Sequence, residues 1–127
     1  MQEEKPTLTL TLPLKITTPN TREHWSQKSK RNKFQSNLLT HHFKIIKDAV
    51  YLPCTVTLIR QGIRPLDYDN MVYSLKQMRD TLADLLIPGK KRGVADGDPR
   101  IIWIYQQKKH KDYALIIQIS TPQETSS

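Results

Sequence analysis

Within residues 70–86, Met71, Leu75, Met78, Leu82 and Leu85 recur at spacings of four, three, four and three. Only an α-helix brings such positions onto one face, so the segment must lay an apolar stripe against a neighbouring layer. Ile87-Pro88-Gly89 ends it. The rest of the chain supplies the layer. Residues 7–14 alternate strictly and predict a half-buried strand with Leu8, Leu10, Leu12 and Leu14 inward, Pro13 marking an edge or terminating strand. Residues 54–60 alternate likewise, with Cys54, Val56 and Leu58 on one face. Residues 101–107 and 113–119 read as two further strands, and the basic run 108–112 as a hairpin loop between them. Residues 17–21 read as a loop. Residues 22–48 are helical in character but less regular, with Leu38, Leu39, Phe43, Ile45, Ile46 and Val50 expected in the core.

The order β-α-β-α-β-β predicts an α/β (α+β) fold, in which a mixed four-stranded sheet is packed by two main helices. A length of 127 residues suits one domain spanning the chain, with an ordered core over about 7–120 and a disordered tail at 121–127. No apolar run is long enough for a membrane span, and Met1-Gln2-Glu3-Glu4-Lys5 lacks the apolar core of a signal peptide. The lone Cys54 forms no internal disulfide and reads as a buried, inert thiol, and a reducing cytoplasm is expected. A net charge of +8 implies an acidic partner, nucleic acid or an anionic membrane.

Candidate phosphate contacts cluster in three places: Arg22, Lys28, Lys30, Arg31 and Lys33; Lys90, Lys91 and Arg92; and the basic run at 108–111. Trp25 lies among the first group and is expected to pack into the core at the start of its helix. His41 and His42 are adjacent and diverge by about 100° on a helix, while His24 and His110 have no partners at zinc spacing, so no histidine metal site is expected.

Chemistry points to residues 64–70. Asp67 and Asp69 stand two apart in a segment read as extended, where i and i+2 share a side. Converging carboxylates ask for a hard cation, Mg²⁺ or Mn²⁺, and the helix start beyond them favours an anion such as a phosphate. The plainer reading is that Asp69 or Asn70 caps the helix, which accounts for one acid and not the second. Lys76 is the one cation in the first two turns of that helix, and its plainer reading is a surface ion pair with Asp80.

Together these residues resemble the RusA-type Holliday junction resolvases encoded by phages and prophages. The resemblance runs through Asp67-Tyr68-Asp69-Asn70, Leu75-Lys76, Arg79-Asp80 and Leu82-Ala83-Asp84-Leu85, then Gly93-Val94-Ala95-Asp96-Gly97-Asp98-Pro99-Arg100-Ile101. Asn20-Thr21-Arg22-Glu23-His24-Trp25 adds looser support, and the match covers about residues 8–119. It implies Mg²⁺-dependent cleavage of four-way DNA junctions in recombination and repair, by a homodimer. It implies Asp67, Asp69 and Asp96 as metal-binding catalytic acids and Lys76 as the catalytic cation. Many family members carry that cation at the place of Tyr73, one turn before Lys76. Ala95 stands where the family has the first acid of an Asp-Asp pair, which leaves Asp98 as an alternative contributor. Asn70 and Asp80 would support the site. The strands at 101–107 and 113–119 are expected to contribute to the dimer interface. The residues alone leave two other readings open: a non-catalytic nucleic-acid-binding module, and a metal nuclease with another substrate such as RNA.

Overall fold

Alternating patterns and one long apolar stripe resolve into two layers in the computed structural model, which describes residues 7–16, 25–90 and 94–121. Strand β1 spans Leu8–Leu12, helix α1 Trp25–Ile46, β2 Cys54–Gly62, α2 Tyr68–Leu86, β3 Ile101–Lys109 and β4 Ala114–Ser120. Single 3-10 turns at Lys47–Ala49 and Ala95–Gly97 follow α1 and precede β3. The expected order and the mixed four-stranded sheet with two helices are borne out.

The sheet order is β1-β4-β2-β3. Only β2 and β3 are parallel, so α2 is the crossover between them. The expected hairpin between the last two strands is therefore corrected, because β2 lies between β3 and β4. The reason is visible in burial. Ala114, Leu115, Ile117 and Ile119 of β4 are buried, as a strand paired on both sides requires, whereas β3 alternates with exposed residues. The loop after β3 passes the end of β2, where the His110 N–H donates to the Gly62 carbonyl at 2.8 Å. Gly62 suits this close approach, since a Cβ would crowd the Tyr113 ring at 3.0 Å and the Arg60 guanidinium at 3.3 Å.

One sheet face carries the core. Val56 and Leu58 of β2 and Leu115 and Ile117 of β4 meet Leu39 and Phe43 of α1. Met71, Leu75, Met78 and Leu82 of α2 complete it, as the stripe demanded. Each such side chain contributes about 1.5–3 kcal/mol on burial. Cys54 is buried, and burial pushes its thiol pKa up, which leaves it protonated and unreactive. The opposite face is uncovered among the described residues, exposing Ile102 and Ile104.

Helix α1 buries only Gln35, Leu39 and Phe43. Its contact with α2 is a polar seam: Ser36 and Thr81 hydroxyls lie 3.0 Å apart, and the Gln77 amide donates to the Asn32 carbonyl and the Ser36 hydroxyl at 3.1 and 2.7 Å. Ile45, expected in the core, is instead 75% exposed, and Trp25, expected to pack at the helix start, is also 75% exposed. Leu38 and Ile46 pack at the edge of the core as expected, while Trp25, Phe34 and Ile45 face outward. No helix among the described residues is long and apolar enough to cross a membrane.

Candidate functional site

The segment between β2 and α2 sets where the acids stand. Buried Arg60 donates from Nε to the Ile16 carbonyl at 2.7 Å and from one terminal nitrogen to the Arg64 carbonyl at 2.9 Å. Burial lowers its pKa from the ordinary arginine value. From β3, the Gln107 amide accepts from Leu66 N–H at 2.8 Å and donates to the Leu66 carbonyl at 2.6 Å. This two-bond clamp fixes the residue just before the acids.

Helix α2 begins at Tyr68, two residues earlier than the apolar stripe suggests. Asp67 is then the N-cap position, its carbonyl accepting from Met71 N–H at 2.8 Å, and its carboxylate makes no capping bond. Asp69 lies inside the first turn. The expected convergence of the two acids rested on extended geometry, and the helix start replaces that geometry. The capping alternative is also set aside, since neither Asp69 nor Asn70 occupies the cap.

The second acid segment does meet the first. Asp69, Lys76 and Asp96 line one open cleft of ≈ 360 Å³ with Arg79, Tyr68, Tyr73 and Tyr105. Asp67 is not among its lining side chains. Asp69 and Lys76 come from α2, Asp96 from the 3-10 turn before β3. The Asp69 carboxylate has no ion pair or hydrogen bond among the described residues, and neither does that of Asp67.

Arg79 organises the far wall. Its guanidinium lies 5.0 Å from the Trp103 ring centroid and 5.9 Å from that of Tyr105, a cation held over two aromatic faces. It donates to the Tyr105 hydroxyl and, at 3.3 Å, to the Asp96 carbonyl. Trp103 Nε1 donates to the same carbonyl at 3.0 Å. Arg79 Nε stands 3.5 Å from Asp96 Oδ2, near enough for charge attraction, yet it is buried without a hydrogen-bond partner. Asp96 is thus fixed through its backbone while its carboxylate is only loosely engaged. Arg79, Trp103 and Tyr105 were not read as site residues. The signal was present: Arg79 follows Lys76 by three on one helix face, and Trp103 and Tyr105 share one strand face.

Lys76 is 65% exposed at its side chain and pairs with Asp80 Oδ2 at 3.5 Å. Asp98 does not line the cleft. Its carboxylate is buried and held from both sides, by Lys90 at 2.6 Å and by Arg100 from Nε and a terminal nitrogen, each at 3.1 Å. Lys90 is correspondingly engaged at home. Asn70 is exposed on the first turn of α2. Lys28, Lys30 and Lys33 are exposed on α1 and Arg31 is half-buried, whereas Arg22, Lys91, Arg92 and the tail at 122–127 lie outside the described residues.

The donor set fits a hard cation in part. Two Asp69 oxygens and Asp96 Oδ1 are available on one cleft, and oxygen donors with open coordination positions suit Mg²⁺ or Mn²⁺, which keep several waters. Among the described residues, no three acid, histidine or cysteine side chains gather closely enough to form a ligand group of their own. A scan of the chain against protein-family models finds no match, and a search of curated proteins finds none.

Proposed function

We propose that the chain is a metal-dependent endonuclease acting on branched DNA, a four-way junction resolvase working as a homodimer. The observation that carries this reading is the meeting of Asp69 and Asp96, from segments 27 positions apart in the chain, on one cleft beside Lys76 and Arg79. A module that only bound nucleic acid would gain nothing from two acids facing a phosphate. A net charge of +8 supports a polyanionic substrate, and the resemblance to RusA-type resolvases supports a junction as that substrate.

Asp69 and Asp96 would hold the cation. Bound Mg²⁺ would supply a Lewis acid that offsets phosphate charge and lowers the pKa of a water. The chain's own residues do the rest. Lys76, on the cleft wall, would stabilise negative charge growing on the phosphate oxygens in the transition state. Arg79 and Trp103 keep the Asp96 backbone in place by donating to its carbonyl, and Tyr105 holds Arg79. Tyr68, Tyr73 and Tyr105 give the cleft an aromatic lining on which bases can stack.

A junction has approximate two-fold symmetry and its resolution needs two matched cuts, which a C₂ dimer supplies. The uncovered sheet face with Ile102 and Ile104 supports a place for the second copy. The test is incubation with Mg²⁺ and three substrates of equal length: a synthetic four-way DNA junction, a DNA duplex and an RNA hairpin. Cutting of the junction alone is expected. Preferential cutting of the hairpin would give the active site to another substrate.

A further inference from the structure

Between α1 and α2 lies a second hollow, of ≈ 300 Å³, that shares Tyr73 and Lys76 with the acid cleft. Lys15, Lys28 and Lys76 line it, so it favours an anion. One polar side chain on its walls lacks a partner. Gln35 is only 8% exposed, yet its side-chain amide makes no hydrogen bond among the described residues. Asp80 Oδ1 is also without a partner, but it is sealed from solvent and therefore from any occupant of the hollow. Buried polar groups are nearly always bonded, and those left open in a hollow are completed by whatever occupies it.

The two features specify complementary parts of one ligand. The lysines require a phosphate. The Gln35 amide both donates and accepts, as a base edge does. The volume is at the small end of ligand sites and admits one nucleotide rather than a duplex. We propose that this hollow is a subsite for one unpaired nucleotide of the bound strand, reading a base that carries an exocyclic amino group through the Gln35 amide, with its phosphate held by Lys15 and Lys28. Side-chain amides pair with such base edges in this way. The subsite rests on the reading that the neighbouring cleft acts on nucleic acid, and its shared wall makes it the seat of a nucleotide next to the bond being cut.

The test is equilibrium binding of the full chain to short labelled single strands in metal-free buffer, so that affinity is read without cleavage. Two strands differ only in their purine: adenine in one, purine lacking the 6-amino group in the other. The parent is expected to bind the adenine strand about tenfold more tightly. Gln35→Met, which keeps the side-chain volume, should shrink that ratio towards one while the salt dependence stays. Equal affinities in the parent would overturn the subsite and leave a hollow that holds phosphate or water only. A ratio that survives Gln35→Met would overturn it equally. A parent that discriminates as expected but cuts no nucleic acid would support the subsite and remove the nuclease reading.

Discussion

Asp69 and Asp98 are the same residue put to opposite uses. Asp69 stands in the cleft with no partner among the described residues, which suits a ligand. Asp98 is consumed by Arg100 and Lys90. The Arg100 hydrogen bonds, then that from Lys90, hold its carboxyl well below the ordinary value of 3.8. A folded pKa below the unfolded one stabilises the native state above the unfolded value, and that contribution fades as pH falls through the folded value. Asp98→Asn should therefore melt a few degrees below the parent at neutral pH, with the gap closing as the pH falls from about 4 towards 2. A gap that stayed constant in thermal melts would place the loss elsewhere. Lys76 is exposed, and its pair with Asp80 contributes less than about 1 kcal/mol to stability. Lys76→Ala should leave melting almost unchanged and lower the single-turnover cutting rate by about a hundredfold, with junction affinity nearly intact. Cutting at the parent rate would remove Lys76 from the chemistry.

Among the elements, α2 carries both the core stripe and the chemistry, and the two were unequally legible. Four of the five stripe residues, Met71, Leu75, Met78 and Leu82, are buried as the 3.6-residue period requires. Leu75→Ala should cost about 2–5 kcal/mol, read as a fall in the denaturant midpoint. The helix start was misplaced because Tyr68 and Asp69 carry no apolar signal, and that shift of two residues undid the supposed convergence of Asp67 and Asp69. The strand order was not legible either. Alternation reports which face of a strand is buried, but it does not name the neighbours, so β3 and β4 read as a hairpin although β2 lies between them. Helix α1 was hardest, since it meets α2 through Ser36, Gln77 and Thr81, which a hydrophobic period does not register. The clamp from Gln107 to Leu66 was invisible for the same reason. Gln107→Leu would leave both Leu66 backbone groups short of a partner, at a cost of about 1–3 kcal/mol. Slower cutting with faster amide exchange at Leu66 is expected, and unchanged exchange would show that the loop holds without the clamp.

At the scale of the whole molecule, a basic two-layer domain leaves one sheet face open among the described residues and brings Asp69 and Asp96 to one cleft on the helix side. Ile104→Glu should shift light-scattering mass from dimer towards monomer if the open face joins two copies, and an unchanged dimer would put the interface elsewhere. Lys30→Ala with Lys33→Ala should weaken binding to every junction sequence and reduce the salt slope by about one unit per lost contact, whereas unchanged affinity would mean that these charges are only solvated. The central claim is that Asp69 and Asp96 make the cleft a metal-dependent active site. Single-turnover cutting of a synthetic four-way junction, by the parent and by Asp69→Asn, tests it most directly when each is run with Mg²⁺ and with excess EDTA. The parent should cut with Mg²⁺ and stop in EDTA, while Asp69→Asn binds the junction as tightly or more tightly and leaves it whole. Cutting that persists in EDTA, or an Asp69→Asn protein that cuts at the parent rate, would contradict the account.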